Sequence, residues 1–156
     1  MINVLVFDDR WGARTDLLEG LEKSFKGQVD LDNCRSVYEA NDAIEQKKYH
    51  VIIIDSMMST NGLKPELEKY TKGGLLTGIV WLCNIHNEKP ERLQDTSIFV
   101  YSGYLDDCDE DTMQALNEYT QNDNFIKNSI TFVSKTGNNR AALIEAIREK
   151  YKLSKN

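Results

Sequence analysis

A doubly wound α/β domain on a five-stranded parallel sheet is the predicted fold class, and three observations predict it. Short apolar runs recur along the chain, at 4–7, 51–54, 98–101 and 130–133. Segments with apolar residues at helical spacing lie between them. Each run ends in a polar residue of a defined kind: Asp8 and Asp9, then Asp55, then Ser102, then Lys135.

The elements follow in order. Residues 2–7 are apolar and largely β-branched except at Asn3, as expected of a strand covered on both faces. Leu17, Leu18, Leu21 and Phe25 place a first helix over 14–25, and Gly27 stops it. Val29 and Leu31 alternate with polar neighbours over 28–33, which suits a short edge strand. Ser36 opens a second helix with Glu39 as its capping-box partner, Ala40, Ala43 and Ile44 on the inner face, and Lys47 and Lys48 at the C-terminal end. Residues 50–54 form a second fully buried strand. The connection that follows is long. Within 59–74 a short helix starts near Pro65, carries Leu67 and Tyr70 on one side, and closes at Gly73 and Gly74. The main third helix then runs over 75–85, on Leu75, Ile79, Leu82 and Cys83. A strand at 97–101, an acidic turn, a helix over 110–119, a strand at 130–133 and a closing helix over 141–151 complete the chain. Five strands alternating with five helices give the order 2-1-3-4-5 under the right-handed crossover rule. The expectation is one domain over 1–156, with an extended segment at about 59–73, a polar tail at 152–156, and no internal repeat.

Composition narrows the function. With 156 residues, 40% hydrophobic and 28% charged, the chain suits one globular core. A domain of this size buries roughly 68–70% of its unfolded surface, so a bound metal would be functional rather than needed for folding. A net charge of -6 argues against broad nucleic-acid binding, which relies on basic residues, and favours a basic protein partner. Cys34, Cys83 and Cys108 are odd in number and share no close spacing, so they form neither a disulfide framework nor a zinc site, and a reducing cytoplasm fits. The N-terminus enters the first strand within two residues, and no apolar run approaches the ~20 residues of a membrane helix, so neither a secretion signal nor a membrane partner is expected. Oligomeric state is not legible.

In an open parallel sheet the carboxyl ends of the strands share one edge, where ligands bind. Asp8, Asp9, Asp55, Ser102 and Lys135 therefore converge on one phosphate-handling site. Clustered carboxylates repel one another, and a hard cation such as Mg2+ relieves that through oxygen ligation while keeping several waters. A phosphoryl group added nearby needs the cation, a hydroxyl and an ammonium to balance its charge.

At these residues the sequence resembles the receiver domain of two-component response regulators, over essentially its whole length. VLVFDD at 4–9 resembles the family's first strand and acidic pair, and VIIIDSMM at 51–58 its phosphoacceptor strand and loop. FVYSG and TFVSK supply the hydroxyl and the lysine. The resemblance implies a flavodoxin-like stand-alone receiver whose Asp55 takes a phosphoryl group from a histidine kinase, a phosphotransfer protein or a small phosphodonor. It also implies Mg2+ on Asp9 and Asp55, on Asp8 largely through water, and on the backbone carbonyl of Met57. Lys135 would pair with Asp55 or its phosphate, and Ser102 would bond the phosphate. Phe132 would be the switch aromatic, altering the surface read by a downstream protein target.

The chain also departs from the family pattern. Ser59 and Thr136 stand where the family often has proline, and Gly103 where it favours alanine. The Asp55 to Ser102 and Ser102 to Lys135 intervals are long, through 59–72 and 105–128. The segment 59–72 is expected to be a lid or docking element beside Asp55. Met57 and Tyr104 would flank an attacking water and orient it poorly, so phosphate loss should be slow.

Other residues read more plainly. Asp106, Asp107, Asp109, Glu110 and Asp111 mark a helix start rather than a second metal site. His50 and His86 are structural or solvated, Trp81 is packing, and Trp11 is either packing or a partner contact. Cys108 has no activating cation nearby in sequence. Two alternatives stay open: a degenerate receiver acting as a phosphorylation-independent binding module, and a Mg2+-dependent phosphohydrolase or nuclease using Asp8, Asp9 and Asp55. Met57 stands where an aspartyl phosphatase commonly has its second acid, and no P-loop is present.

Overall fold

The computed structural model describes residues 1–103, 105, 108–122 and 124–155. Its elements are β1 (Ile2–Phe7), α1 (Trp11–Ser24), β2 (Val29–Cys34), α2 (Val37–Gln46), β3 (Val51–Ile54), α3 (Thr77–Glu88), β4 (Ser97–Ser102), α4 (Glu110–Thr120), α5 (Phe125–Ser129), β5 (Ile130–Ser134) and α6 (Asn139–Tyr151), with 3-10 turns at Pro65–Tyr70 and Pro90–Arg92. All strand pairs are parallel, in the order β2-β1-β3-β4-β5. The expected architecture and order hold.

Strand side chains alternate between two helical layers, which explains the unbroken apolar runs. Leu5, Phe7, Ile52, Ile54, Ile98 and Val100 pack in one core with residues of α2 and α3. Val4, Val6, Val51, Ile53 and Phe99 pack in the other with Leu17 and Leu21 of α1 and Leu143 and Ile147 of α6. Trp81 is fully buried, edge-on to Phe7 at 5.5 Å, and its Nε1 donates to Asn41 at 2.8 Å, the packing role expected of it. Trp11 lies on the surface, 73% exposed.

Several boundaries move for physical reasons. α1 starts three residues early because Arg14 N–H closes its first turn on Arg10 O. α3 starts at Thr77, two residues late: Gly74 holds a left-handed φ of 102°, and the Thr77 hydroxyl bonds Met58 O and Gly74 O. The short helix at Pro65 is a 3-10 turn. α5 and the turn Pro90–Arg92 were not expected, so the five-helix count is corrected. Ser36 caps α2 by accepting Glu39 N–H at 3.2 Å, while the Glu39 carboxylate takes Arg35 N–H rather than that of Ser36. Lys47 turns from the helix end to pair with Asp30 and Asp32 of β2.

The segment 59–74 is part of the packed domain. Leu63 and Leu67 are buried in the same core as Phe7, and Thr71 is buried as well. Burial pushes the Cys83 thiol up to about 12, and that of Cys34 higher still, so both behave as core residues.

Candidate functional site

The five polar strand-end residues meet at the carboxyl edge of the sheet. Hydrogen bonds carry the ladder just past the strand ends and hold them there: Asp8 N–H donates to Cys34 O at 3.1 Å, Asp55 N–H to Phe7 O at 3.0 Å, and Lys135 N–H to Ser102 O at 3.1 Å. The Lys135 ammonium then bridges two carboxylates, Asp8 Oδ2 at 2.7 Å and Asp55 Oδ2 at 3.0 Å. Their side chains are only 7% and 2% exposed, and that of Lys135 16%. Its pairing with Asp55 was expected; its closer bond to Asp8 was not.

Asp8 is held on three sides. Its Oδ1 accepts Arg10 N–H at 2.9 Å, and its carbonyl accepts Nη1 of buried Arg14 at 2.7 Å. Asp9 projects outward, and its Oδ2 accepts Ser59 N–H at 3.3 Å. Burial raises the Asp9 carboxyl above its ordinary value, with the charges of Asp8 and Asp55 adding to the shift, against the Ser59 hydrogen bond that lowers it. Three carboxylates therefore feel one another here, with a single ammonium bridging two of them.

The loop after Asp55 is clamped by the start of α3. Gly78 N–H donates to Ser56 O at 2.9 Å, Thr77 Oγ1 to Met58 O at 2.8 Å, Ser56 Oγ to Leu75 O at 2.6 Å, and Met58 N–H to Gly74 O at 3.1 Å. The Met57 carbonyl lies between two engaged carbonyls and accepts no hydrogen bond among the described residues. The Met57 side chain is 42% exposed at the rim of a cavity of about 340 Å3 bounded by Asp9, Asp55, Ser59, Gly73 and Gly74. A larger hollow of about 840 Å3, at the opposite ends of β4 and β5, shares none of these residues.

This donor set fits Mg2+. Among the described residues no three His, Cys, Asp or Glu side chains are grouped to hold a metal alone. Mg2+ does not need that: it binds through one or two carboxylates and keeps several waters. Asp9, Asp55 and the Met57 carbonyl supply such a set, with Asp8 held back by Lys135. Ser102 is fully buried at the end of β4. Phe132, opposite Val100 in the ladder, is 36% exposed. Tyr104, Asp106 and Asp107 lie outside the described residues.

Asp109 caps α4 by accepting Thr112 N–H at 2.8 Å, the helix-start role read for the acidic run. His50 Nδ1 accepts Asn3 N–H, and His86 stacks on Phe125 at 4.0 Å, both structural uses. Sequence reasoning missed Arg14, Thr77 and Gly78. For Gly78 there was a signal, since an isolated glycine in a helical pattern usually marks a packing constraint.

No family model and no curated protein matches the sequence. Solved structures do match the fold. The receiver domain of the Francisella response regulator 1452 aligns with a TM-score of 0.60 at 22% identity, covering 97% of this chain and 98% of that one. A CheY-like response regulator receiver domain protein from Methanospirillum hungatei aligns at 0.61 and 16% identity, covering 97% and 94%. The isolated REC domain of RcsB from Salmonella enterica serovar Typhimurium, solved in the presence of the phosphomimetic BeF3-, aligns at 0.61 and 18% identity, covering 99% and 91%. The chain has the CheY-like, flavodoxin-like receiver fold, with its acidic cluster at the carboxyl edge of the sheet.

Proposed function

We propose that this chain is a phosphorylatable receiver that takes a phosphoryl group on Asp55 and signals by protein binding rather than by turning over a substrate. The Lys135 ammonium bridging Asp8 and Asp55 beside Asp9, at the strand ends of a receiver fold, carries the reading. An Asp55 carboxylate oxygen attacks phosphorus in line. The new O–P bond forms as the donor's P–N or P–O bond breaks, and the donor group leaves with the electron pair. Mg2+ on Asp9, Asp55 and the Met57 carbonyl, with Asp8 reached through water, would neutralise the phosphoryl oxygens. Lys135 then pairs with the phosphate, and the Ser102 hydroxyl donates to it. Formation of that bond gives the differential contact a two-state switch needs, with Phe132 on the adjacent strand as the reporting aromatic.

The donor class is a histidine kinase, a phosphotransfer protein or a small acyl phosphate, and the output a protein target in a cytoplasmic setting. Among the described residues no helix is long and apolar enough to cross a membrane. Met57 orients water poorly, so the phosphoryl group is retained, and its replacement by a small polar residue should shorten the lifetime.

The test is intact mass after incubation with Mg2+ and acetyl phosphate or phosphoramidate, beside Asp55→Asn. A Mg2+-dependent gain of one phosphoryl group that disappears in the variant supports the reading. No gain in folded protein that binds Mg2+ turns it toward a phosphorylation-independent binding module.

A further inference from the structure

We propose that residues 59–74 form a strap that couples the acid site to the start of α4, giving the domain a second output arm besides Ser102 and Phe132. The inference rests on Asp55 and its neighbours being the occupied site. Both ends of the strap are fastened there. At one end Ser59 N–H bonds Asp9 Oδ2 at 3.3 Å. At the other, Gly74 O accepts Met58 N–H at 3.1 Å, and Gly74 lies so close to Met58 O that a β-carbon would stand 3.0 Å from it. The middle is packed rather than loose. Leu63 and Leu67 are buried, and the Thr71 hydroxyl closes the turn by donating to Glu68 O at 2.8 Å and accepting Gly74 N–H at 3.2 Å.

The outer side of the strap reaches α4. Lys72 adopts a left-handed φ of 51°, followed by Gly73 at 71° and Gly74 at 102°, so the chain swings from α4 to the cavity within three residues. The Lys72 ammonium pairs with the Asp109 carboxylate, whose other oxygen caps α4 through Thr112 N–H. The Tyr70 ring packs on Tyr119 at 5.7 Å, and the Tyr119 hydroxyl bonds Asn84 of α3 at 3.2 Å.

An occupant that draws on the Asp9 carboxylate changes the Ser59 bond, and one that presses on the loop after Asp55 acts on Gly74. Both disturbances enter a packed segment. They leave it at the ion pair two residues from Gly74, Lys72 with Asp109 at the cap of α4, while the segment's other ion pair, Lys64 with Glu88, ties it to the end of α3. The Ser59–Asp9 bond is the contact that differs between the empty and occupied states, as a population shift requires.

Hydrogen–deuterium exchange on the full chain tests this, metal-free and with Mg2+ plus beryllofluoride. Lys72→Met removes the ammonium and keeps the stem; Asp109→Asn removes the charge and keeps a good N-cap. In the unmodified protein, exchange should slow at 8–10, 55–59 and 110–120. In each variant the slowing at 8–10 and 55–59 should remain, while the response of 110–120 falls about two- to fivefold, the scale of one exposed ion pair. An unchanged α4 response in the variants overturns the strap. So does a silent α4 in unmodified protein whose Asp55 still gains a phosphoryl group by mass, which leaves the phosphoacceptor reading intact. Neither slowing nor an Asp55-dependent mass gain overturns both.

Discussion

Gly78→Ala sets helix propensity against packing, and the two predict opposite signs. Gly78 is the second residue of α3, and in a helix interior alanine is better than glycine by about 1 kcal/mol. A β-carbon here would overlap the Asp55 carbonyl oxygen and stand 3.1 Å from both the Asp55 carbonyl carbon and Ile54 Cγ1. Ordinary carbon contacts lie at about 3.5–4.0 Å, so α3 or the end of β3 must retreat. Overpacking of this kind costs about 1–3 kcal/mol. The same shift stretches the Gly78 N–H bond to Ser56 O, now 2.9 Å, for about 1 kcal/mol more. After subtracting the propensity gain, the net loss is about 2 kcal/mol, or roughly 4–8 °C in Tm for a domain of this size. Gly12→Ala is the control. Gly12 lies exposed in α1, and a β-carbon there meets nothing within 4 Å, so that substitution should gain up to about 1 kcal/mol. Thermal and urea melts of the three proteins decide the sign. A Gly78→Ala protein as stable as its parent, with Asp55 phosphorylated at the parent rate, would refute the idea that contact with α3 positions the acceptor.

Three further outcomes are expected. Lys135→Met leaves Asp8 and Asp55 without their shared ammonium and should cost about 3 kcal/mol in urea unfolding, with Mg2+ restoring part of it; equal loss with and without Mg2+ would remove the cation from this site. Asp9→Asn removes a carboxylate that burial and two neighbouring charges disfavour, so metal-free Tm should rise, by no more than about 3 °C, while the stabilisation given by Mg2+ largely disappears. The Lys72 contact, with the Thr112 bond adding to it, holds the Asp109 carboxyl down from 3.8 to about 2. A lowered folded value means the contribution is complete above the ordinary value and is lost as pH falls toward 2. NMR titration of the Asp109 side chain should show that midpoint, and Lys72→Met or added salt should move it back up.

The strand order was readable because burial on both faces leaves a mark that polar residues rarely interrupt. Val4 to Phe7 and Val51 to Ile54 are fully or almost fully buried without a break, whereas β2 mixes exposed and buried residues as an edge strand does. Helix boundaries were less readable because contacts outside the helix decide them. Leu75 and Leu76 have the right spacing for α3, but Gly74 and the Thr77–Met58 bond start the helix after them. α5 was invisible for another reason: a five-residue helix with only Phe125 and Ile126 buried offers too little pattern to define a period.

At the site, the acids, hydroxyl and lysine were legible because a parallel sheet brings its strand ends to one edge whatever the loops do. What holds them was not, because Arg14, Thr77 and Gly78 act through the approach of whole helices. The segment 59–74 shows the same limit. Its position and turn signals place it beside Asp55, and the cavity bounded by Ser59, Gly73 and Gly74 agrees. Reading it as an added lid makes deletion the obvious experiment. Burial argues otherwise, since Leu63 and Leu67 are 8% and 1% exposed and share a core with Phe7, so deletion would uncover the layer that carries β1 and β3. Loss of function in such a deletion would report unfolding. Only changes that keep Leu63 and Leu67 in place, at Ser59, Lys72 or Asp109, can separate what this segment transmits from what it holds together.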